Sequence, residues 1–187
     1  MSTETEKMER GEMYLYTDNE ITESFRRARR LCARLQTMTI WDEAYREVIT
    51  QLIPCLPATV DICPPFICDY GGNHIRIGEH VFINSCCVFI DGGTITIGDN
   101  TLLGPHCQLL ATNHPLDYIA RRKPQERGLP ITIGNDCWLG GNVTVCPSVT
   151  IGDRAIIAAG SVVKHDIPSD CLAAGNPATV RRRLNGK

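Results

Sequence analysis

The stretch Asn113-His114-Pro115-Leu116-Asp117 holds the side chain best suited to chemistry in this 187-residue chain. An imidazole titrates near ~6.5, so at neutral pH His114 can accept a proton from a hydroxyl group and hand it on. The other four histidines, His74, His80, His106 and His165, fall in turn slots or at the end of a regular array, where polar side chains are ordinary. Ten cysteines are present, yet none forms a C-x-x-C pair, so the usual zinc-ribbon and thioredoxin spacings are absent. Cys87, Cys107 and Cys137 recur in one slot of a repeat that asks for a small buried side chain, which reads as free thiols packed as small hydrophobes. Cys107 is thereby interior, and no activated thiol nucleophile is in view.

A strict period places His114. From Ile133 onward every sixth residue is aliphatic: Ile133, Leu139, Val145, Ile151, Ile157 and Val163. The same beat runs upstream through Ile77, Ile83 and Phe89, skips two residues at Asp91-Gly92-Gly93, and resumes at Ile97, Leu103 and Leu109. Fixed-period self-similarity of this kind marks a solenoid. Three hexapeptides, each giving a short strand and a turn, close one 18-residue coil of a triangular prism, with coils stacked at roughly the 4.8 Å strand spacing. The next inward positions after Leu109 would be Pro115, Arg121 and Arg127, which cannot line an apolar prism. Residues 115–132 are therefore expected to leave the solenoid as an extruded loop, and a loop of that length in a compact domain is usually functional. His114 stands at its root.

Residues 1–60 have a different texture. Ile21, Phe25, Cys32 and Leu35 return at helical intervals, as do Trp41, Tyr45, Val48, Ile49 and Leu52, predicting two helices. Asp18 is placed to N-cap the first, and Pro54 and Pro57 end the second. The expected organisation is a helical cap over 1–60, an all-β solenoid over 61–170, and a C-terminal segment over 171–187. With 19 basic and 21 acidic residues the net charge is −2, which offers no electrostatic footprint for nucleic acid or an anionic membrane. No apolar run reaches the ~18 residues of a membrane span, and the first thirty residues are studded with charge, so a cytoplasmic protein is expected.

Linked motifs along nearly the whole chain carry a family resemblance. They are Gly11-Glu12-Met13-Tyr14, Cys68-Asp69-Tyr70-Gly71, Phe82-Ile83-Asn84, Asn113-His114-Pro115, Pro130-Ile131-Thr132-Ile133-Gly134, Cys137-Trp138-Leu139-Gly140-Gly141 and Ala173-Ala174-Gly175-Asn176-Pro177-Ala178. Together they resemble the maltose and galactoside O-acetyltransferases of the hexapeptide-repeat, left-handed parallel β-helix superfamily. The resemblance implies a left-handed coil, a homotrimer with sites at subunit boundaries, and acetyl transfer from acetyl-CoA to a sugar hydroxyl without a metal. It casts His114 as general base, Asp18, Asp69 and Asn84 as holders of the acceptor's hydroxyls, and Glu126 as a support that orients His114 through its other ring nitrogen. Backbone N–H groups near Gly141 would serve the oxyanion. Coenzyme A would meet Trp138, Gly141, Ala159, Lys164, His165 and Arg182, the cationic members suiting its phosphates. Two positions depart from the pattern: Gly92 follows Asp91 where related galactoside enzymes carry a second acid, and Thr179 replaces an arginine at the coenzyme end.

Two other functions share this architecture. A zinc hydratase of the γ-carbonic anhydrase kind needs three ligands converging on one metal with an open fourth position. A non-catalytic trimeric scaffold would have no reason to interrupt its array with a loop beside His114.

Overall fold

The computed structural model describes residues 2–184; Met1 and residues 185–187, the end of the expected C-terminal segment, lie outside the described residues. The period-six pattern folds as predicted, into a left-handed parallel β-helix of triangular cross-section. A first face stacks Ile75–Ile77, Ile95–Ile97, Ile131–Ile133 and Thr150–Ile151. A second stacks Asp61–Ile62, Phe82–Ile83, Leu102–Leu103, Trp138–Leu139, Ile156–Ile157 and Cys171–Gly175, and is extended by the antiparallel strand Ala178–Arg183. A third stacks Phe66–Cys68, Cys87–Ile90, Gln108–Leu110, Thr144–Val145 and Val162–Val163. The aliphatic at each sixth position points inward, and columns such as Ile83, Leu103, Leu139 and Ile157 are almost wholly buried. Burial of this continuous apolar column is the main force holding the coils together.

Register follows the sequence closely. Across the skip at Asp91-Gly92-Gly93, partners stand 20 apart, as in Ile83 with Leu103; after the loop they stand 18 apart, as in Leu139 with Ile157. Across the loop Leu103 pairs with Leu139, an interval of 36, or two whole coils. The excursion replaces one coil and leaves every inward position in phase. Turn residues three after the inward aliphatic adopt left-handed backbone, among them His80, His106, Asp136 and Asn142 with φ of 57, 61, 55 and 59°. Those two histidines are thus turn residues, as their spacing suggested.

The loop boundaries differ from the inward-position count. The excursion spans Thr112 to Pro130, because Thr112–Asn113 already pairs antiparallel with Arg127 and Gly128, and Leu129 N–H donates to the Ala111 carbonyl to close the neck. Ile131–Ile133, assigned in part to the loop, is a solenoid strand against Ile95–Ile97.

The cap holds three helices rather than two: α1 (Glu4–Glu9), α2 (Asn19–Leu35) and α3 (Tyr45–Leu52). Helix α1 buries only Met8, so it shows no apolar period; its signal is a capping box, Thr3 and Glu6 bonding each other's backbone. Asp18 N-caps α2 through an acceptor bond from Glu20 N–H at 3.0 Å. Trp41 is not a helix-face residue: it lies between α2 and α3 and is 85% exposed. Between α1 and α2, Met13–Leu15 adds to the loop strand Gln125–Gly128, tying the cap to the excursion.

Candidate active site

The three-strand ribbon Met13–Leu15, Gln125–Gly128 and Thr112–Asn113 builds the surroundings of His114. The imidazole is half exposed, and Tyr16 stands edge-on to it with ring centroids 6.3 Å apart. Nδ1 faces the main-chain carbonyl oxygen of Gln125 at 3.2 Å. A carbonyl can only accept, so Nδ1 carries the ring proton and Nε2 keeps its lone pair. The ring is therefore oriented by Gln125 main chain, and not, as the sequence reading had it, by Glu126. The Glu126 carboxylate lies on the opposite side, with Oε2 4.0 Å from Nε2.

Glu126 is itself fixed from behind. Its Oε1 accepts from Tyr14 Oη at 2.5 Å and from Tyr70 Oη at 3.0 Å. Both phenols are buried, and burial raises their pKa well above the ordinary tyrosine value, so both are donors. Tyr70 belongs to a turn locked by a second acid. Asp91, wholly buried, accepts from the N–H groups of Asp69, Tyr70 and Gly71 at 2.7, 3.1 and 2.7 Å. Gly71 has φ of +65°, and an added Cβ would stand 2.6 Å from the Leu52 carbonyl, so the turn admits only glycine. Burial pushes the Asp69 carboxyl up to about 6, partly offset by Arg29, whose Nη2 donates to it at 2.8 Å.

Of the sequence-predicted residues, the fold brings together His114, Glu126 and Asp69, while Asp18 caps α2 two residues after Tyr16, whose ring stands against His114. All belong to the cap or to the turns leading from the third face to the first. Lys164 and His165 occupy the same series of turns further along the prism and are exposed. Asn84, Gly141 and Ala159 follow strands of the second face, and so stand on a different edge of the prism, between the second and third faces. Asn84 uses its side-chain oxygen to accept from Ser85 N–H at 2.8 Å. Among the described residues no carbonyl accepts from the N–H of Gly141 or Ala159, which sit one coil apart and present two open donors. Trp138 points outward from the second face, 54% exposed, and Arg182 pairs with Leu172 at that face's end. Cys107 is buried in the prism. Among the described residues no three His, Cys, Asp or Glu side chains gather as a metal-holding group, and no helix is long and apolar enough to cross a membrane.

Sequence reasoning missed the roles of Gln125, Tyr14, Tyr70, Asp91 and Arg29. Tyr14 and Tyr70 lie inside quoted motifs; no local signal says that both hydroxyls meet one carboxylate more than fifty residues away in sequence.

Comparison with known proteins gives the family and the fold. Residues 130–165 match a family model described as bacterial transferase hexapeptide (six repeats), and residues 7–54 match the maltose acetyltransferase hexapeptide capping motif. A hexapeptide-repeat containing acetyltransferase from Vibrio cholerae O1 biovar eltor, solved with acetyl coenzyme A, is 41% identical over the full length of both chains with a TM-score of 0.90. A maltose O-acetyltransferase from Clostridium difficile 630 is 35% identical over 99% of both chains, TM-score 0.94. A galactoside acetyltransferase in complex with coenzyme A is 32% identical over 99% of this chain and 92% of its own, TM-score 0.92.

Proposed function

The chain belongs to the hexapeptide-repeat acetyltransferases, and from that membership we propose that it carries acetyl from acetyl-CoA to a hydroxyl of a small sugar, of the maltose, glucose or galactoside kind, with His114 as general base. One observation carries this reading: a half-exposed imidazole whose Nδ1 is held by the Gln125 carbonyl, leaving Nε2 free beside the Glu126 carboxylate. The acceptor oxygen attacks the thioester carbonyl as Nε2 takes its proton. The tetrahedral oxyanion is met by a main-chain donor, for which the open N–H of Gly141 is suited. Collapse expels the coenzyme thiolate, which recovers the proton from the imidazolium. Asp18, Asp69 and Asn84 hold further acceptor hydroxyls; Lys164, His165 and Arg182 meet the coenzyme's phosphates, while Trp138 and Ala159 flank its arm.

The two halves of this machinery stand on different edges of one chain, and this supports a homotrimer in which one edge faces the other across each subunit boundary. The outward side chains favour the same assembly. On the second face Phe82, Leu102, Trp138, Ile156 and Leu172 stack into an apolar column, with Leu102 46% and Trp138 54% exposed. The first face instead shows Arg76, Thr96, Thr132 and Thr150. An apolar ladder on one side and a polar one on another fit a face buried between copies and a face left to water.

The test is a sugar panel assayed by release of coenzyme A thiol, corrected for the ten cysteines. We expect turnover of at least one sugar, and a loss of roughly 10² to 10⁴ in kcat for His114→Ala with acetyl-CoA binding intact, the range for removing a general base. Undiminished turnover in that variant would reject the assignment.

A further inference from the structure

Asp69 stands between acids on the solenoid side and a cation on the cap side. Asp91 accepts from its main-chain N–H, and Glu126 adds a second negative charge from the excursion. From α2, Arg29 Nη2 donates to Oδ1 at 2.8 Å. The neighbouring cation of that helix, Arg27, is engaged by the main-chain carbonyls of Gln51 and Tyr70 at 2.8 and 3.4 Å. The Tyr70 phenol, raised by burial, and the adjacent thiols of Cys32 and Cys68 complete the titratable groups around the turn. Burial and two acidic neighbours disfavour charge on Asp69, and Arg29 is the contact that opposes them.

The guanidinium is itself held in place. Its Cζ lies 4.9 Å over the ring of Phe25, one turn earlier on α2, and Phe25 packs edge-on against Tyr70 with centroids 6.0 Å apart. Asp69 is thus pinned through its main chain by Asp91 and through Oδ1 by Arg29. Among the described residues no donor reaches Oδ2, and no fully buried side-chain polar atom lacks a partner, so Oδ2 opens to solvent in a side chain 15% exposed. An ionised Oδ2 accepts from a sugar hydroxyl more strongly than a neutral carboxyl does.

Resting on the reading of His114 as base and Asp69 as a holder of the acceptor, we propose that Arg29 is a positioning residue for the sugar, keeping the Asp69 carboxylate charged and its free oxygen turned to the acceptor. Acceptor affinity then depends on α2 as well as on the solenoid. Arg29 touches neither the reacting atoms nor the coenzyme, so its influence falls on the acceptor's KM and leaves kcat and the KM of acetyl-CoA alone.

Acceptor kinetics of wild type, Arg29→Met and Arg29→Lys, followed across pH with a sugar that the wild type turns over, test this. Met keeps the stem over Phe25 and drops the charge, and the Arg29 side chain is 43% exposed, so the fold is spared. The ratio of wild-type to Met-variant kcat/KM cancels the titration of His114, which both share. That ratio should pass through a maximum on the order of tenfold above about pH 6, where wild-type Asp69 is ionised and the variant's is not. It should fall at lower pH, where both are neutral, and at higher pH, where both are charged. Arg29→Lys should flatten it, and in an Asp69→Asn background Arg29→Met should show no maximum at all. A ratio independent of pH, or a maximum that survives without Asp69, would overturn the proposal. No sugar turnover by the wild type, or full activity of His114→Ala, would instead remove the catalytic reading beneath it and this inference with it.

Discussion

At Asp69 burial favours the neutral form of the carboxyl. Burial raises its pKa from 3.8 to about 6 in the folded chain. Between those values the native state binds more protons than the unfolded state, so the group removes stability as pH rises through the window and adds no further change above it. Urea titrations of wild type and Asp69→Asn should therefore show the wild type losing ground to the variant as pH is raised from about 4 to about 6. A difference that stays flat across that range contradicts the raised value. At this scale the sequence is a partial guide. His114 was legible because it stands where the apolar beat fails, at Pro115, Arg121 and Arg127. The side of its ring on which Glu126 lies was not, since that depends on how residues 112–128 fold back on themselves. Asp91 was noticed as the start of a two-residue skip and as the neighbour of Gly92; its clamp on the N–H groups of 69 to 71 needs the neighbouring coil.

The ribbon that carries Gln125 and Glu126 is held at its root by a close approach of two main chains. A Cβ on Gly128 would stand 2.1 Å from the Gly92 carbonyl oxygen. Gly128→Ala must push Gln125–Gly128 away from the solenoid, moving the carbonyl that orients His114 and the carboxylate beside it. We expect the variant to lose about 2 kcal/mol of stability, with kcat falling more than the coenzyme's binding does. Thermal unfolding with a side-by-side turnover assay measures both, and unchanged kcat would show that the ribbon does not set the ring's position. Among the elements, the solenoid strands could be read from period six alone, because every coil repeats the same inward aliphatic. The excursion was readable as well, though its ends shifted by two or three residues once strand pairing took over from side-chain pattern. The pairing of Met13–Leu15 with Gln125–Gly128 left no local trace, being an antiparallel contact between segments 112 residues apart at Tyr14 and Glu126. Helix α1 hid for another reason: it buries one residue, so an apolar period had nothing to report.

In the whole molecule, the prism divides the proposed machinery. His114, Asp69, Glu126 and Lys164 lie along the edge between the third and first faces or in the excursion leaving it, and Asn84, Gly141 and Ala159 lie along the edge between the second and third. The chain order of the strands fixes this division, so it was latent in the period; only the extra knowledge of which residues cooperate turns it into a statement about assembly. Shared sites at subunit boundaries are the central claim, and subunit mixing tests it most directly. His114→Ala disables one edge. Gly141→Leu crowds the other, where the nearest atoms to an added Cβ are 3.4 Å away, so the fold can accept the side chain. Each variant alone should be nearly inactive. In mixed trimers isolated through two different tags, one boundary of the three joins the intact edge of one variant to the intact edge of the other, and about a third of wild-type turnover should return. Mixed trimers as inactive as their parents would contradict the account, for the site would then be complete within a single chain.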